Sequence, residues 1–171
     1  MPIGCYSIVP HVVHLLEQWQ PDSILDIGIG NGFYGAAIKQ WVPSCRTLVG
    51  IEAWGGYRNA LWDKYDFVHV ENLWFSVHCD QYDVALLLDV IEHFGIGNGK
   101  KVVEITKQLG KNVIVATPAI FQAQGAVGGN EYERHRSLWT ADMLREQGFR
   151  IVLDGSVNEF GHQMLLGAWE G

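Results

Sequence analysis

The strongest chemical signal in this 171-residue chain is a run of glycines bracketed by two carboxylates. Ser23-Ile-Leu-Asp-Ile27 is an apolar stretch with an acid at Asp26, and it runs straight into Gly28-Ile-Gly30-Asn-Gly32. Glycines at that point let the backbone turn sharply and let a ligand approach its N–H groups. A helical pattern starts near Phe33, and its free N–H groups and positive dipole end suit an anionic or hydrogen-bonding group. About twenty residues further on, Leu48-Val-Gly-Ile-Glu52 ends a second apolar stretch on an acid, the spacing at which a carboxylate accepts both hydroxyls of a ribose in a βαβ unit. These residues together read as a nucleoside-cofactor site. Candidate proton chemistry comes from two histidines, His93 within Asp89-Val-Ile-Glu-His93 and His135 within Asn130-Glu-Tyr-Glu-Arg-His135. Histidine titrates close to neutral pH, and His135 is the candidate general base. A plainer reading stands beside each: Asp26 ties down the turn, Glu92 and His93 fix a loop, and His135 anchors one.

The elements that must position these groups alternate in type. Val9, Val12, Val13, Leu16 and Trp19 recur at helical spacing, which predicts a helix over 9–20. Strands follow at 23–27, 47–52, 66–70, 83–88 and 112–117, with helices at 33–41, 57–63 and 99–109 between them. Residues 83–88 carry no Lys or Arg and are apolar on both faces, as suits the buried centre of a parallel sheet. Thr140 is placed to cap a helix through Glu146, with Gly148 just past its end. The last two strands, 149–153 and 162–168, are joined by too short a link for a helical crossover, so they must be antiparallel neighbours. Such alternation defines an α/β fold. Residues 121–129, rich in glycine and alanine, read as a mobile lid over the site. Gly95-Ile-Gly-Asn-Gly-Lys100 lacks the spacing of a phosphate loop and reads as a helix cap and loop.

Composition narrows the classes. The length suits a single domain spanning 1–171. A formal charge of −7 and a pI near 5.4 argue against a phosphate-tracking surface, hence against nucleic acid as partner. Cys5, Cys45 and Cys79 form no Cys-x-x-Cys, which fits reduced thiols in a cytoplasmic protein and argues against a zinc site. His11 and His14 read as surface residues rather than ligands, so no metal is expected. No apolar run is long enough to cross a bilayer, and the first residues have no signal-peptide layout. Oligomeric state is not legible.

Asp26-x-Gly28-x-Gly30-x-Gly32 resembles the D/E-x-G-x-G-x-G motif of class I S-adenosylmethionine-dependent methyltransferases. Tyr82 through Phe94 is similar to that superfamily's fourth strand and the loop after it, and Asn112-Val-Ile-Val-Ala-Thr-Pro118 to its fifth. The resemblance runs over nearly the whole chain. It implies a Rossmann-like three-layer sandwich whose seven-stranded, mostly parallel sheet has its last strand antiparallel, inserted between the fifth and sixth. It implies S-adenosyl-L-methionine as cofactor. Gly28, Gly30 and Gly32 would line the methionine and ribose portion, and Asp26 would bond the loop or the amino-acid moiety. Glu52 would hold the ribose diol. Ala53 and Trp54 would cover the adenine, and Asn72, where the family usually has Asp, would read its amine. Asp89 would lie towards the methionine end. Asp89-Val-Ile-Glu-His93 is similar to the D-V-x-E-H of small-molecule methyltransferases of ubiquinone and menaquinone biosynthesis. The [N/D]-P-P-[Y/F] of enzymes that methylate nucleic-acid bases is missing. Asn130 through Trp139 resembles the N-x-Y-x-x-H-x-S-x-W segment of one methyltransferase branch. The implied activity is methyl transfer to an O, N or C nucleophile of a small molecule, with His135 and His93 as catalytic candidates and Phe33, Tyr34 and Trp139 as rings near the sulfonium. Two other classes stay open: a non-catalytic nucleoside-binding module, and an NAD-binding oxidoreductase, which the chain's size and its want of a Tyr-x-x-x-Lys pair disfavour.

Overall fold

The computed structural model describes residues 5–75, 81–157 and 163–171. Its seven strands are β1 (Ser23–Ile27), β2 (Thr47–Glu52), β3 (Phe67–Val70), β4 (Tyr82–Leu88), β5 (Gly110–Pro118), β6 (Arg150–Val157) and β7 (Gln163–Glu170). They form one sheet in the order β3-β2-β1-β4-β5-β7-β6. β1 to β5 pair in parallel, and β7 runs antiparallel to both β5 and β6. The last strand is the antiparallel neighbour of the sixth, as the short final connection requires, and it is inserted between the fifth and sixth, as the resemblance implies. That connection itself falls outside the described residues.

Both faces of the sheet are covered. In β4, Val84, Leu86 and Leu88 pack towards α1 (Val9–Trp19) and α2 (Phe33–Trp41), while Ala85 and Leu87 pack towards α3 (Ile96–Leu109) and α4 (Ala141–Glu146). Successive strand residues point to opposite faces, so a strand buried on both sides must be apolar throughout. Its unbroken apolar run follows from that position.

The helices follow their sequence signals with two differences. α4 starts after Thr140, whose side chain accepts the Met143 N–H as expected of a cap. α3 starts at Ile96, nearly a turn before the expected residue 99, so the glycines read as loop lie within its first turn, with Gly95 as cap. Glycine is a poor helix former, and here tertiary packing overrides propensity. A Cβ on Gly99 would come within 2.5 Å of the Trp139 ring. The expected helix at 57–63 resolves into two short 3-10 turns, Gly55–Tyr57 and Ala60–Lys64, the second capped by Asn59. Among the described residues, no helix is long and apolar enough to cross a membrane.

Candidate active site

In an open parallel sheet, ligands bind beyond the carboxyl ends of the strands where the chain order reverses. Here that point lies between β1 and β4, and a cleft of about 600 Å³ opens there. The glycine loop forms its floor. The N–H groups of Gly28 and Ile29 donate to the Ile51 carbonyl, at 2.8 and 3.2 Å, so the loop is clamped to the end of β2. Gly28 has φ +76°, and a Cβ there would also lie 2.6 Å from Val90. Only glycine fits without strain.

Glu52 is buried at the tip of β2. Its Oε2 accepts the Gly30 N–H and its Oε1 the Trp54 N–H, each at 2.8 Å. Each carboxylate oxygen has a second lone pair, so the same group can also accept hydroxyls from the cleft. Burial pushes the Glu52 carboxyl above its ordinary range, opposed by those two backbone N–H groups. Ala53, Asn72 and Asp89 line the same cleft, as do Gly28, Gly30, His93 and His135. Asp89, at φ +58°, has a strained backbone of the kind that gathers at functional sites. Its Oδ2 accepts the Tyr34 hydroxyl at 2.9 Å and the Cys5 N–H at 3.0 Å, drawing Cys5 against the cleft wall.

Three expectations need correction. Asp26 does not line the cleft. It is 1% exposed and lies behind the glycine loop, where its Oδ2 accepts the Tyr65 hydroxyl at 2.6 Å. Gly32 also lies off the lining; it caps α2 with φ +84°, and a Cβ would crowd Trp62 and Leu61. Trp139 is wholly buried beneath α3, with Nε1 donating to the Ser137 hydroxyl, and has no path to a ligand. Each of the three residues holds the site in shape rather than lining it.

The Asp26 finding carries a pH prediction. Burial raises its carboxyl to about 6, partly opposed by the Tyr65 hydrogen bond and reinforced by the Glu52 charge. A raised folded-state value means that the stability this group supplies is fully present below about pH 4 and is lost as pH rises through 6. Asp26→Asn keeps an acceptor for Tyr65 and removes the charge. It is expected to gain on the order of 2–3 kcal/mol over wild type at pH 8 and almost nothing at pH 4. Denaturant melts at the two pH values measure this; an equal difference at both would refute the buried-acid account.

A second cluster forms the opposite wall. Glu92 is 2% exposed in the single turn Ile91–His93 after β4, and Thr117 Oγ1 donates to its Oε2 at 3.0 Å. The Arg136 and Ser137 N–H groups donate to the Glu92 carbonyl at 2.8 and 3.2 Å, pulling the segment after the 121–129 loop against this turn. His135 is thereby brought to His93, with ring centroids 5.0 Å apart. Burial, helped by His135, lowers His93 to about 4, so its imidazole is neutral at physiological pH. Burial and then the nearby Asp89 charge push the Glu92 carboxyl well up. The loop expected to be a lid is tied at its base: His135 Nδ1 meets the Gln122 carbonyl at 2.8 Å, and its backbone N–H donates to the Gln124 carbonyl at 3.0 Å. Gly125 and the turn at Gly128–Gly129 project into open space.

Sequence reasoning passed over Trp74, Phe94, Tyr132 and Arg136, which also line the cleft. Trp74 and Phe94 meet edge to face at 6.0 Å. Aromatic residues on loops leave no periodic signal, so only their proximity in space reveals them.

No family model and no curated protein matches the sequence. Solved structures do match in fold. The methyltransferase domain of bacterial CtHen1-C superposes with a TM-score of 0.69 at 17% identity, covering 95% of this chain and 97% of that one. The N-terminal domain of EvdMO1, crystallised with SAH bound, gives 0.69 at 10% identity over 98% and 82% of the two chains. N-methyltransferase NodS from Bradyrhizobium japonicum WM9 gives 0.61 at 9% identity over 95% and 96%. The fold is that of the class I methyltransferases, as the strand order indicates.

Proposed function

We propose that this chain transfers a methyl group from S-adenosyl-L-methionine to an oxygen, nitrogen or carbon nucleophile of a small molecule. The observation that carries the reading is the gathering of Gly28, Gly30, Glu52, Asn72 and Asp89 around one cleft at the strand-order reversal of a methyltransferase fold. The donor set fits the cofactor. Glu52 faces the place of a ribose diol, and Asn72 offers an amide oxygen to an adenine amine. The lining carries Glu52, Glu71, Asp89 and Glu133 against one arginine, Arg136, which favours a cationic ligand. A cleft of about 600 Å³ is in the range of small-ligand sites. A cytoplasmic setting accords with the buried free thiol of Cys45.

When bound, the cofactor would supply an electrophilic methyl group on its sulfonium for an acceptor's lone pair. The protein's task is to hold donor and acceptor in line and to exclude water. The glycine loop and Glu52 fix one end of the cleft, and Asp89, tied to Tyr34, shapes its middle. Tyr34 and Phe33 present rings there, 5.5 Å apart. His93 and His135 stand on the acceptor side and are assigned to it.

Calorimetric titration with S-adenosylhomocysteine and with NAD, followed by a turnover assay over a panel of small nucleophiles, tests the proposal. Binding of S-adenosylhomocysteine with methylated product is the expected result. Tight NAD binding in its place would move the chain to the oxidoreductases, and binding without product from any acceptor would favour a non-catalytic module.

A further inference from the structure

We propose that Glu92, His93 and His135 form a binding site for one divalent transition-metal ion on the acceptor side of the cleft. The three side chains bring one ligand atom each to within 4.8 Å of one another. Modest side-chain rotation closes that to the roughly 3–3.5 Å between ligands sharing one ion. Two observations beyond proximity point to a ligand.

The first is an orphaned atom. The Nδ1 of His93 is enclosed and meets no hydrogen-bond partner among the described residues. A buried polar atom left unpaired is costly, and in native structures it usually marks an unseen ion, water or function. The second is the orientation of the other two groups. A carbonyl can only accept, so the 2.8 Å contact with Gln122 makes His135 Nδ1 a protonated nitrogen, and in the neutral ring Nε2 then carries the lone pair. Metal-bound histidines are held in this way, by their second nitrogen on a carbonyl or carboxylate. Thr117 does the same for Glu92, donating to Oε2 and fixing the carboxylate's direction. Among the described residues, none of the three side chains hydrogen-bonds another, and no ion pair reaches Glu92.

Two imidazoles and one carboxylate are borderline donors that suit Mn²⁺, Fe²⁺, Co²⁺ or Zn²⁺ better than Ca²⁺ or Mg²⁺. Asp89, beside the set, commits its Oδ2 to Tyr34 and Cys5. Three protein donors leave coordination positions open, and an acceptor oxygen can occupy one of them. With the ion bound, the lone pair of His135 serves as a ligand, replacing the general-base role expected from the sequence. No metal was expected either, because cysteine spacing and the His11–His14 pair were the only patterns in view. The ligands come from two loops far apart in the chain, a spacing no metal motif describes.

The test uses chelator-treated full-length protein titrated with MnCl₂ and separately with ZnCl₂. Calorimetry and loss of the free Mn²⁺ resonance signal give the stoichiometry. One ion per chain is expected. His135→Gln, at a partly exposed loop position, and Glu92→Gln should each weaken binding by about 100-fold or more while S-adenosylhomocysteine affinity stays within about threefold. Retained S-adenosylhomocysteine binding shows that the variant is folded. Wild-type protein that binds S-adenosylhomocysteine but takes up neither ion overturns the metal site and leaves the methyl-transfer reading standing. Undiminished metal uptake by His135→Gln likewise overturns it. Metal uptake of the expected kind without S-adenosylhomocysteine binding supports the site and counts against the methyl-transfer reading alone.

Discussion

Replacing Glu52 with alanine is expected to weaken S-adenosylhomocysteine binding by about 2–4 kcal/mol, roughly 30- to 1,000-fold in Kd. Two losses combine. The ribose hydroxyls lose a charged acceptor, and the Gly30 and Trp54 N–H groups lose the carboxylate that holds the loop in place. Glu52→Gln suffers both losses at nearly constant size. A glutamine has one acceptor oxygen, so one of the two N–H donors must face its amide NH₂, and the loop is disturbed even though size and shape are kept. The glutamine variant is therefore expected to lose most of the affinity that alanine loses. Calorimetry on both variants reads the effect. An alanine variant that melts like wild type and binds within about threefold of it would remove the ribose assignment.

Gly35→Ala should produce the largest loss of stability of any glycine-to-alanine change among the described residues. A Cβ at Gly35 would lie 2.1 to 2.4 Å from Cζ, Cε2 and the hydroxyl oxygen of Tyr65. Tyr65 is buried, and its hydroxyl links two elements, accepting the Gly35 N–H at 3.0 Å and donating to Asp26 at 2.6 Å. Displacing the ring strands a buried carboxyl and strains the packing between α2 and the sheet. The expected cost is roughly 3–5 kcal/mol, a fall of roughly 10 °C in Tm. Gly97→Ala is the control. It lies in the first turn of α3, and a Cβ there would meet nothing within 4 Å, so replacing it should be neutral or stabilise by up to about 1 kcal/mol. If Gly35→Ala melted within a degree or two of wild type, the Tyr65 bridge would not support the loop.

Gly35 also shows the limit of a motif. In sequence, Gly30-x-Gly32-x-x-Gly35 matches a dinucleotide fingerprint in which the glycines serve the ligand. In the fold, Gly30 lines the cleft, Gly32 caps a helix, and Gly35 makes room for a tyrosine from a turn after β2. The same division holds for the acids. Glu52 and Asp89 sit where their strand ends suggest, whereas Asp26, on the neighbouring strand, faces inward to Tyr65.

What the sequence determined by itself is local and periodic. The bounds of β1, β2 and α2, the Thr140 cap, the two-sided burial of β4 and the antiparallel closing pair all follow from side-chain period, turn residues and connection length. Those quantities act over a few residues, so they are written in adjacent positions. The end of the cleft lined by Gly28, Gly30 and Glu52 was legible for the same reason, because the glycine loop and Glu52 are neighbours in one βαβ unit. Only the tertiary structure decided what meets across long separations. It set Tyr65 against Asp26, buried Trp139 over Gly99, and brought His135 to His93. Each meeting depends on where a loop returns to the sheet, and that path is chosen by packing and by backbone hydrogen bonds such as those from Arg136 and Ser137 to the Glu92 carbonyl. No spacing rule encodes such a return, so the wall built by Glu92, His93 and His135 became visible only in three dimensions.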